Sequence, residues 1–332
     1  MDLPRPGWRR KRARVPAALL VPAVLMAVAA CGSSDTSGSS GTASAAPAVA
    51  PYLDIVSGSS DISDISAKTG QASFTVGFVV ASSSGGCTPT WGGSTAIDDG
   101  TIKAAIAKIK AAGGKAIVAT GGETGPYLET ACSASELASA YGKVLDVVGS
   151  NYLDVDIEQT VDPATVTAAL ATVQKARRTA ITLTLPVDGT EAGLTDAAIA
   201  LLTSAKNAGL DVTVNAMTMN FTATGDWGTA MTTATEAVKD DVARLWSDRS
   251  DAEVYAMLGV TPMIGVNDTG PVTTLANAKT LLSWAEARGL GFVRFWSVNR
   301  DNGDCADGSV SPTCSGIGQS AYAFTALFKT FA

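Results

Sequence analysis

The chain has 332 residues, of which 46% are hydrophobic, and its 24 basic and 31 acidic residues give a formal net charge of −7. This length and composition suit one large globular core or two smaller ones and exclude a disordered protein. The sequence contains no histidine, which excludes the Ser-His-Asp and Cys-His catalytic arrangements and the commonest metal ligand, so catalysis must rest on carboxylates, hydroxyls, amides or lysines.

The first thirty residues have the pattern of an export signal. Five basic residues between positions 9 and 14 precede an apolar run over 15–30, which leads into the segment VAAC at 28–31. This segment is similar to the lipobox of bacterial lipoproteins, in which the cysteine is lipidated. We therefore predict a signal peptide over 1–30 and a lipid anchor at Cys31. The alternative is cleavage near residues 43–46, which would release a secreted protein.

Residues 31–49 predict a flexible tether, because Ser, Gly, Thr and Ala with scattered Pro cannot bury a core. Residues 50–332 are then the folded domain. Loss of residues 1–30 would remove six basic residues and Asp2, which leaves a net charge near −12. Such an acidic surface makes nucleic acid a poor partner.

Lipidation of Cys31 would leave four cysteines, an even number that suits an oxidising compartment. We favour a disulfide between Cys305 and Cys314, because these two close a short loop rich in Gly, Asp and Ser. Cys87 then pairs with Cys132. The two other pairings and four free thiols are the alternatives.

Beyond residue 50, apolar runs typical of strands alternate with stretches of helical period. The candidate strands are 52–56, 74–81, 116–120, 152–157, 181–186, 212–221, 254–260 and 291–296, and the candidate helices are 99–112, 135–148, 163–177, 195–208, 227–246 and 275–288. Glycines suited to helix C-caps follow three of the helices. The repeat predicts a single (β/α)₈ barrel; the alternative is an open doubly wound sheet, whose nucleotide-binding Gly-x-Gly-x-x-Gly turn is absent after the first strand.

The fourth candidate strand carries acids at alternate positions, namely Asp154, Asp156 and Glu158. Alternate side chains of a strand share one face, and helices cover the outer face of a parallel barrel. The acids should therefore point into the barrel; the alternative is a half-exposed strand with its acids in water. Like charges this close repel each other, so at least one of these carboxyls should have a raised pKa. A general acid for glycosidic cleavage requires such a raised pKa.

At this strand the sequence resembles glycoside hydrolase family 18, the chitinases and related endo-N-acetylglucosaminidases, whose fourth strand carries Asp-x-x-Asp-x-Asp-x-Glu. Asn151 occupies the first position, and the other three acids match. The resemblance implies that Glu158 is the general acid and that Asp156 orients the substrate's acetamido group, whose carbonyl oxygen attacks the anomeric carbon. It implies that Asp154 tunes Asp156 by sharing a proton with it. No cofactor or metal is implied.

Two further segments are similar to strands of the family. The segment 119–122, Ala-Thr-Gly-Gly, matches Ser-x-Gly-Gly except for Ala119, and its glycines would allow close packing beneath the acids. The segment 217–220 resembles Met-x-Tyr-Asp, with methionine in place of tyrosine and asparagine in place of aspartate. It implies substrate contacts by Met217, Met219 and Asn220, although methionines in this pattern are also ordinary core residues.

Two residues near the last strands complete the candidate site. The resemblance implies that Trp296 forms the floor of the subsite in which the sugar is distorted. Asn267 lies in the loop after the seventh strand and is a candidate sugar contact or a turn residue. Trp91 and Trp227 are weaker candidates for sugar contact.

The resemblance implies hydrolysis of β-1,4-linked N-acetylglucosamine polymers or oligomers with retention. The signal segment adds a lipid anchor on the outside of a bacterial cell, and we expect a monomer. Alternatives are an endo-β-N-acetylglucosaminidase acting on N-glycans through the same acids and a non-catalytic, lectin-like chitin-binding barrel, which would typically lack Glu158. A tethered structural lipoprotein would leave the inward acids unexplained.

Overall fold

A computed structural model describes residues 45–331 of the chain. Eight parallel strands form the inner wall of the domain. In chain order they are β1 (Tyr52–Asp54), β2 (Phe74–Ala81), β3 (Ala116–Gly121), β4 (Tyr152–Asp156), β5 (Ala180–Gly189), β6 (Val212–Met217), β7 (Leu258–Val260) and β8 (Phe292–Val293).

The strands pair in chain order, each parallel to the next from β1 to β8. The ring closes between β8 and β1, where Val49 forms a parallel bridge with Val293 and the Tyr52 backbone N–H donates to the Phe295 carbonyl at 3.1 Å. This closed order confirms the predicted (β/α)₈ barrel and excludes the open sheet.

Ten α-helices lie within residues 45–331, mostly between successive strands. They are α1 (Ile62–Thr69), α2 (Gly100–Ala111), α3 (Leu128–Ala131), α4 (Ala134–Val148), α5 (Pro163–Arg177), α6 (Asp196–Asn207), α7 (Trp227–Leu245), α8 (Asp251–Met257), α9 (Leu275–Arg288) and α10 (Ala323–Phe328). In this part of the chain no helix has the length and hydropathy that crossing a bilayer requires.

Shorter elements decorate the barrel. They are the strands Pro89–Trp91, Thr95–Ala96, Gly193–Leu194, Gly265–Val266 and Val272–Thr273, together with a 3₁₀ turn at Val298–Arg300. Gly265–Val266 and Val272–Thr273 pair as an antiparallel hairpin after β7.

The six predicted helices are present, with ends that differ by one residue or less. The predicted strand 254–260 is wrong in its first half, because α8 covers Asp251–Met257. Ser250 begins α8 with a capping box in which its side chain and that of Glu253 bind each other's backbone N–H groups, and this local signal overrides the apolar run. The regular strands β6 and β8 also end earlier than predicted, at Met217 and Val293.

The apolar side chains of β4 face outward to the helices. Leu153 and Val155 are 1% and 0% exposed and belong to the main hydrophobic core. Asp154 and Asp156 are buried on the opposite face, inside the barrel. The predicted inward direction of these acids is therefore confirmed, and the half-exposed strand is excluded.

Both favoured disulfides are present in the structure. Cys87–Cys132 ties the loop after β2 to the end of α3, and Cys305–Cys314 closes a loop after β8. Cys31 and the predicted export signal lie outside the described residues. Barrel contacts begin within the last residues of the predicted tether, because Val49 already pairs with β8.

The end of β3 approaches β4 very closely. Gly121 has a φ of 82°, and a Cβ atom at this position would lie 1.9 Å from the Asp156 carbonyl oxygen. The Gly122 N–H, in a residue whose φ is 88°, donates to that same oxygen at 3.0 Å. The two glycines therefore allow the close packing beneath the acids that the sequence predicts.

Candidate active site

The carboxyl end of the barrel opens into a cleft of about 530 Å³. Asp156 and Glu158, at and just beyond the end of β4, both line it. Asp154 lies one layer deeper, is 0% exposed, and does not reach the cleft. The row of acids thus runs from the barrel interior to its open end.

Asp154 is surrounded by hydrogen-bond donors. Its Oδ2 accepts from the Tyr52 hydroxyl at 2.6 Å, and its Oδ1 accepts from the Thr184 hydroxyl at 2.7 Å and from Arg294 Nη1 at 2.8 Å. The charged partner of the Asp154 carboxylate is therefore a buried guanidinium. The proton sharing between Asp154 and Asp156 stays a prediction.

Asp156 has an oxygen without a partner. Its side chain is 4% exposed, and Oδ1 is buried with no hydrogen bond among the described residues. Burial raises the pKa of Asp156 well above its usual value, and the nearby carboxylates of Glu158 and Asp154 raise it further. This carboxyl is therefore able to hold a proton and to form a new hydrogen bond with a ligand.

Glu158 is fixed through its backbone. Its N–H donates to the Tyr127 hydroxyl at 2.9 Å, and that hydroxyl donates to the Gly122 carbonyl. Glu158 is exposed to solvent at the cleft, and the groups around it still partly desolvate its carboxyl. Burial, followed by the carboxylates of Glu123 and Asp268, raises the pKa of Glu158 to about 7. The predicted rise in pKa is thus present in both upper acids.

Three aromatic rings form one wall of the cleft beside the acids. Trp296 stacks on Phe78 with ring centroids 5.7 Å apart and planes inclined by 28°, and Tyr52 lies 6.0 Å from Trp296. All three residues line the cleft. An indole held by neighbouring rings offers a flat apolar surface for the face of a pyranose.

The methionines of the segment 217–220 reach the cleft as predicted. Met217 and Met219 pack with Met263 and Trp296 in a small apolar cluster, separate from the main core. Asn220 also lines the cleft, but its side chain is already bound to Asp268: Nδ2 donates to Oδ2 at 2.9 Å, and Oδ1 accepts from the Asp268 N–H at 2.9 Å.

The structure does not support sugar contact by Asn267. Its side chain is 1% exposed and lies outside the residues that line the cleft. Nδ2 donates to the carbonyls of Met263 and Gly265, and Oδ1 accepts from the Asn220 N–H at 3.3 Å. Asn267 therefore acts as an internal brace for the loop that presents Asn220 and Asp268, because a buried amide must satisfy its own polar atoms.

The two weaker tryptophan candidates are also structural. Trp91 is 0% exposed, and its Nε1 donates to the Ile97 carbonyl at 3.2 Å. Trp227 is 9% exposed, donates to the Thr273 hydroxyl at 2.9 Å and packs 4.7 Å from the Phe221 ring. Neither residue lines the cleft.

Sequence reasoning missed Arg294 and Glu129. Arg294 interrupts the apolar run of the last strand, a signal that the sequence contained. Glu129 is 2% exposed and accepts from the Thr120 and Tyr141 hydroxyls, each at 2.7 Å. Burial raises the pKa of Glu129, and it lies near enough to raise the pKa of Asp156 as well.

Known proteins resemble this chain over most of its length, although no protein-family model matches it. The catalytic domain of a hyperthermophilic chitinase from Pyrococcus furiosus is 32% identical, with a TM-score of 0.78 over 87% of this chain and 97% of that one. A probable bifunctional chitinase/lysozyme of Escherichia coli K12 is 30% identical in an alignment of 309 residues that covers 85% of this chain. Endochitinase 11 of Metarhizium anisopliae is 30% identical in an alignment of 277 residues that covers 76% of this chain.

The chain belongs to glycoside hydrolase family 18. It spans 34% of the length of the Escherichia coli relative and 52% of the Metarhizium anisopliae relative. The similarity therefore covers the barrel of this family 18 protein and leaves the rest of both relatives unmatched.

One departure from the family motif, Asn151, lies away from the cleft. It precedes β4, its Nδ2 donates to the Arg177 carbonyl at 2.9 Å, and its Oδ1 accepts from the Thr179 hydroxyl at 2.9 Å. The uncharged first position of the family 18 motif therefore supports the opposite end of the barrel.

The cleft carboxylates provide a direct test of the electrostatics of Glu158. Replacing Glu123 by Gln should lower the pKa of Glu158 by about 0.5, because one like charge that disfavours its ionised form is removed. The measurement is a titration of the Glu side-chain carboxyls by ¹³C NMR.

The control for this titration is Glu191→Gln, which removes an exposed carboxylate that does not line the cleft. It should leave the pKa of Glu158 unchanged. An equal effect of the two substitutions would contradict the assigned role of Glu123.

Proposed function

We propose that this family 18 protein hydrolyses β-1,4-linked N-acetylglucosamine polymers or oligomers with retention. The proposal depends on one observation: Glu158, with a pKa of about 7, and Asp156, with an unpartnered buried oxygen, line the same cleft. Mutants of the related Pyrococcus furiosus domain, 32% identical to this chain, form complexes with chito-oligosaccharides, which supports the choice of substrate class.

In the first step Glu158 gives its proton to the glycosidic oxygen. At the same time the carbonyl oxygen of the sugar's own acetamido group bonds to the anomeric carbon, and the bond to the leaving sugar breaks. Asp156 orients the acetamido group and stabilises the positive charge of the resulting oxazolinium ring. This substrate-assisted route requires no nucleophile from the protein.

In the second step Glu158, now a carboxylate, removes a proton from water. The water oxygen attacks the anomeric carbon from the face that the leaving sugar has vacated, and the oxazolinium ring opens. Two inversions at one carbon give net retention. Glu158 regains its proton in this step and is ready for another cycle.

The walls of the cleft suit the rest of the sugar. Trp296, supported by Phe78, offers an apolar ring face to the pyranose at the reaction centre. Met217 and Met219 offer apolar surface to the acetamido methyl group. The methionine at 219 supplies no hydroxyl to the acetamido carbonyl, so Asp156 carries more of the task of orienting this group.

Glu158→Gln should bind chito-oligosaccharides with nearly unchanged affinity but reduce kcat by a factor of about 10²–10⁴, because the amide has no proton to give. In the unaltered protein kcat should fall as the pH rises through about 7, where Glu158 loses its proton. Calorimetric binding and a pH-resolved assay of oligosaccharide cleavage measure these effects.

Chito-oligosaccharides, a mannose-type N-glycan and peptidoglycan fragments should be assayed in parallel with this variant. We expect cleavage of the chito-oligosaccharides. Cleavage of the N-glycan alone would favour the endo-β-N-acetylglucosaminidase alternative, and full activity of Glu158→Gln would refute Glu158 as the acid.

Two apolar side chains extend the proposed sugar-binding surface. Val56 and Val310 are 37% and 47% exposed and both line the cleft. Val310 lies in the loop closed by Cys305–Cys314, where the neighbouring Ser311 carbonyl accepts from Arg300. Because exposed apolar groups in a cleft are suited to the faces of sugar rings, we propose that both contact substrate away from the cleaved bond.

Val56→Ser or Val310→Ser should raise KM for a hexasaccharide about fivefold, because contact with an apolar sugar face is lost. For the shortest cleaved oligosaccharide KM should stay near its original value. Val272→Ser is the matched control, because Val272 is also 37% exposed but lies outside the cleft; an equal effect of all three substitutions would argue against the proposed contacts.

We also propose that the protein is a monomer, exported and held at a bacterial cell surface by a lipid on Cys31. The two disulfides support an oxidising compartment. In cells fed labelled palmitate, the unaltered protein should carry label and sediment with membranes, whereas Cys31→Ser should do neither. An unlabelled, soluble wild-type protein would instead support the secreted alternative.

A further inference from the structure

Arg294 lies on the floor of the barrel, directly below the catalytic cleft. Its side chain is 1% exposed, Nη1 contacts Asp154 at 2.8 Å, and Nη2 donates to the Thr182 hydroxyl at 3.2 Å. The guanidinium carbon lies 4.9 Å from the Phe292 ring centroid. Among residues 45–331 this is the one ion pair in which both side chains are almost fully buried.

The two hydroxyls beside Asp154 belong to a wider hydrogen-bond network. Asn215 Nδ2 donates to the Thr184 hydroxyl at 3.0 Å and to the Tyr52 hydroxyl at 3.4 Å. Asn215 Oδ1 accepts from the Thr261 hydroxyl at 2.9 Å. The Tyr52 and Thr184 hydroxyls also lie 3.0 Å apart, so either can donate to the other as well as to Asp154.

Among the groups that contact Asp154, Arg294 is therefore the one that can only donate. A proton added to Asp154 Oδ1 would face this guanidinium, which has no acceptor atom and carries a fixed positive charge. Asp156, two residues along the same face of β4, is the next carboxyl toward the cleft.

We propose that Arg294 is a positioning residue that holds Asp154 as a carboxylate, so that the mobile proton of the acid row is confined to Asp156 and Glu158. This inference rests on the proposed function and deepens it. In this arrangement the proton that the family resemblance places between Asp154 and Asp156 belongs to Asp156, which lies above a fixed Asp154 anion. The fixed anion favours retention of the proton by that pair.

Several other ionisable groups face the row and stay unaltered in the test. The Tyr52 side chain on β1 contacts Asp154. Tyr127 and Glu129 lie near Asp156. Glu123 and Asp268 lie near Glu158 at the rim of the cleft. A change confined to Arg294 or Asp154 therefore reports on the floor of the barrel.

The test compares Arg294→Met, which removes the charge, with Arg294→Lys, which keeps it, and with the neutral double variant Asp154→Asn/Arg294→Met. In Arg294→Met the buried Asp154 should take up a proton on folding, because it has lost its cation. Infrared spectroscopy at pH 7 should then show one additional protonated carboxyl, which is absent from Arg294→Lys and from the double variant.

The stability of the variants should follow the same pattern. A carboxyl that is protonated when folded but ionised when unfolded makes the folded state bind more protons, so the stability of Arg294→Met should fall as the pH rises from about 5 to 8 relative to wild type. In Arg294→Lys and in the double variant this added pH dependence should be absent, even if either variant is less stable overall.

The kinetic readout is the alkaline limb of the kcat profile on a chito-oligosaccharide. Arg294→Met and the double variant should share a limb displaced to lower pH by about 0.5–1. Both lose the Asp154 anion, which raises the pKa of Asp156 by more than the Arg294 cation lowers it. Arg294→Lys should keep the wild-type limb. A merely structural role for Arg294 would lower kcat without moving the limb.

The proposal is overturned if folded Arg294→Met shows no added protonated carboxyl and its alkaline limb stays in place or moves to higher pH. If the wild-type protein cleaves no chito-oligosaccharide, the proposed function fails and the kinetic readout fails with it. The infrared and stability measurements need no substrate, so they test Arg294 independently.

Discussion

The burial of adjacent carboxylates inside a narrow barrel is the constraint on which this protein depends. Taking a charge out of water is costly unless it is paired and hydrogen-bonded. Asp154 is compensated by Arg294 and two hydroxyls, whereas Asp156 keeps an oxygen without a partner. The two acids have the same chemistry, and their different surroundings give the lower one a structural anchor and the upper one an opening for a ligand.

Contacts within the barrel wall position Asp156 and Glu158 at the open end of the barrel. Gly121 and Gly122 let β3 approach the Asp156 carbonyl, and the Tyr127 hydroxyl then receives the Glu158 N–H. Tyr127 directly precedes α3, whose end is tied to the loop after β2 by Cys87–Cys132. The position of Glu158 is thus determined by a tight strand contact and a cross-linked loop rather than by β4 alone.

The loops at the carboxyl ends of the strands determine the chemistry of the cleft. Trp296 and the methionines give it an apolar side, while Glu123 and Asp268 give it a negative rim that raises the pKa of Glu158. Because like charges disfavour ionisation, the rim that makes the cleft acidic also keeps its acid protonated near neutral pH. The same walls therefore serve both binding and proton transfer in the proposed reaction.

The sequence by itself determined the barrel, most helix bounds and the inward direction of Asp154 and Asp156, because strand alternation and helical period are local properties of the chain. It also indicated the disulfide pairing through the short loop between Cys305 and Cys314. Local signals were insufficient where two tendencies competed: the apolar run at 254–260 predicted a strand, but the capping box at Ser250 began a helix that covers the first half of this run.

Only the tertiary structure decided which distant side chains meet. Arg294 reaches Asp154 across 140 positions of the chain, and Asn267 turns inward to brace its own loop instead of facing the cleft. The protonation of the acids of β4 depends on such contacts, since the pKa of a buried carboxyl is set by charges and donors within a few ångströms in space. Sequence spacing specifies which face of a strand an acid occupies, but ring closure and loop packing specify its neighbours.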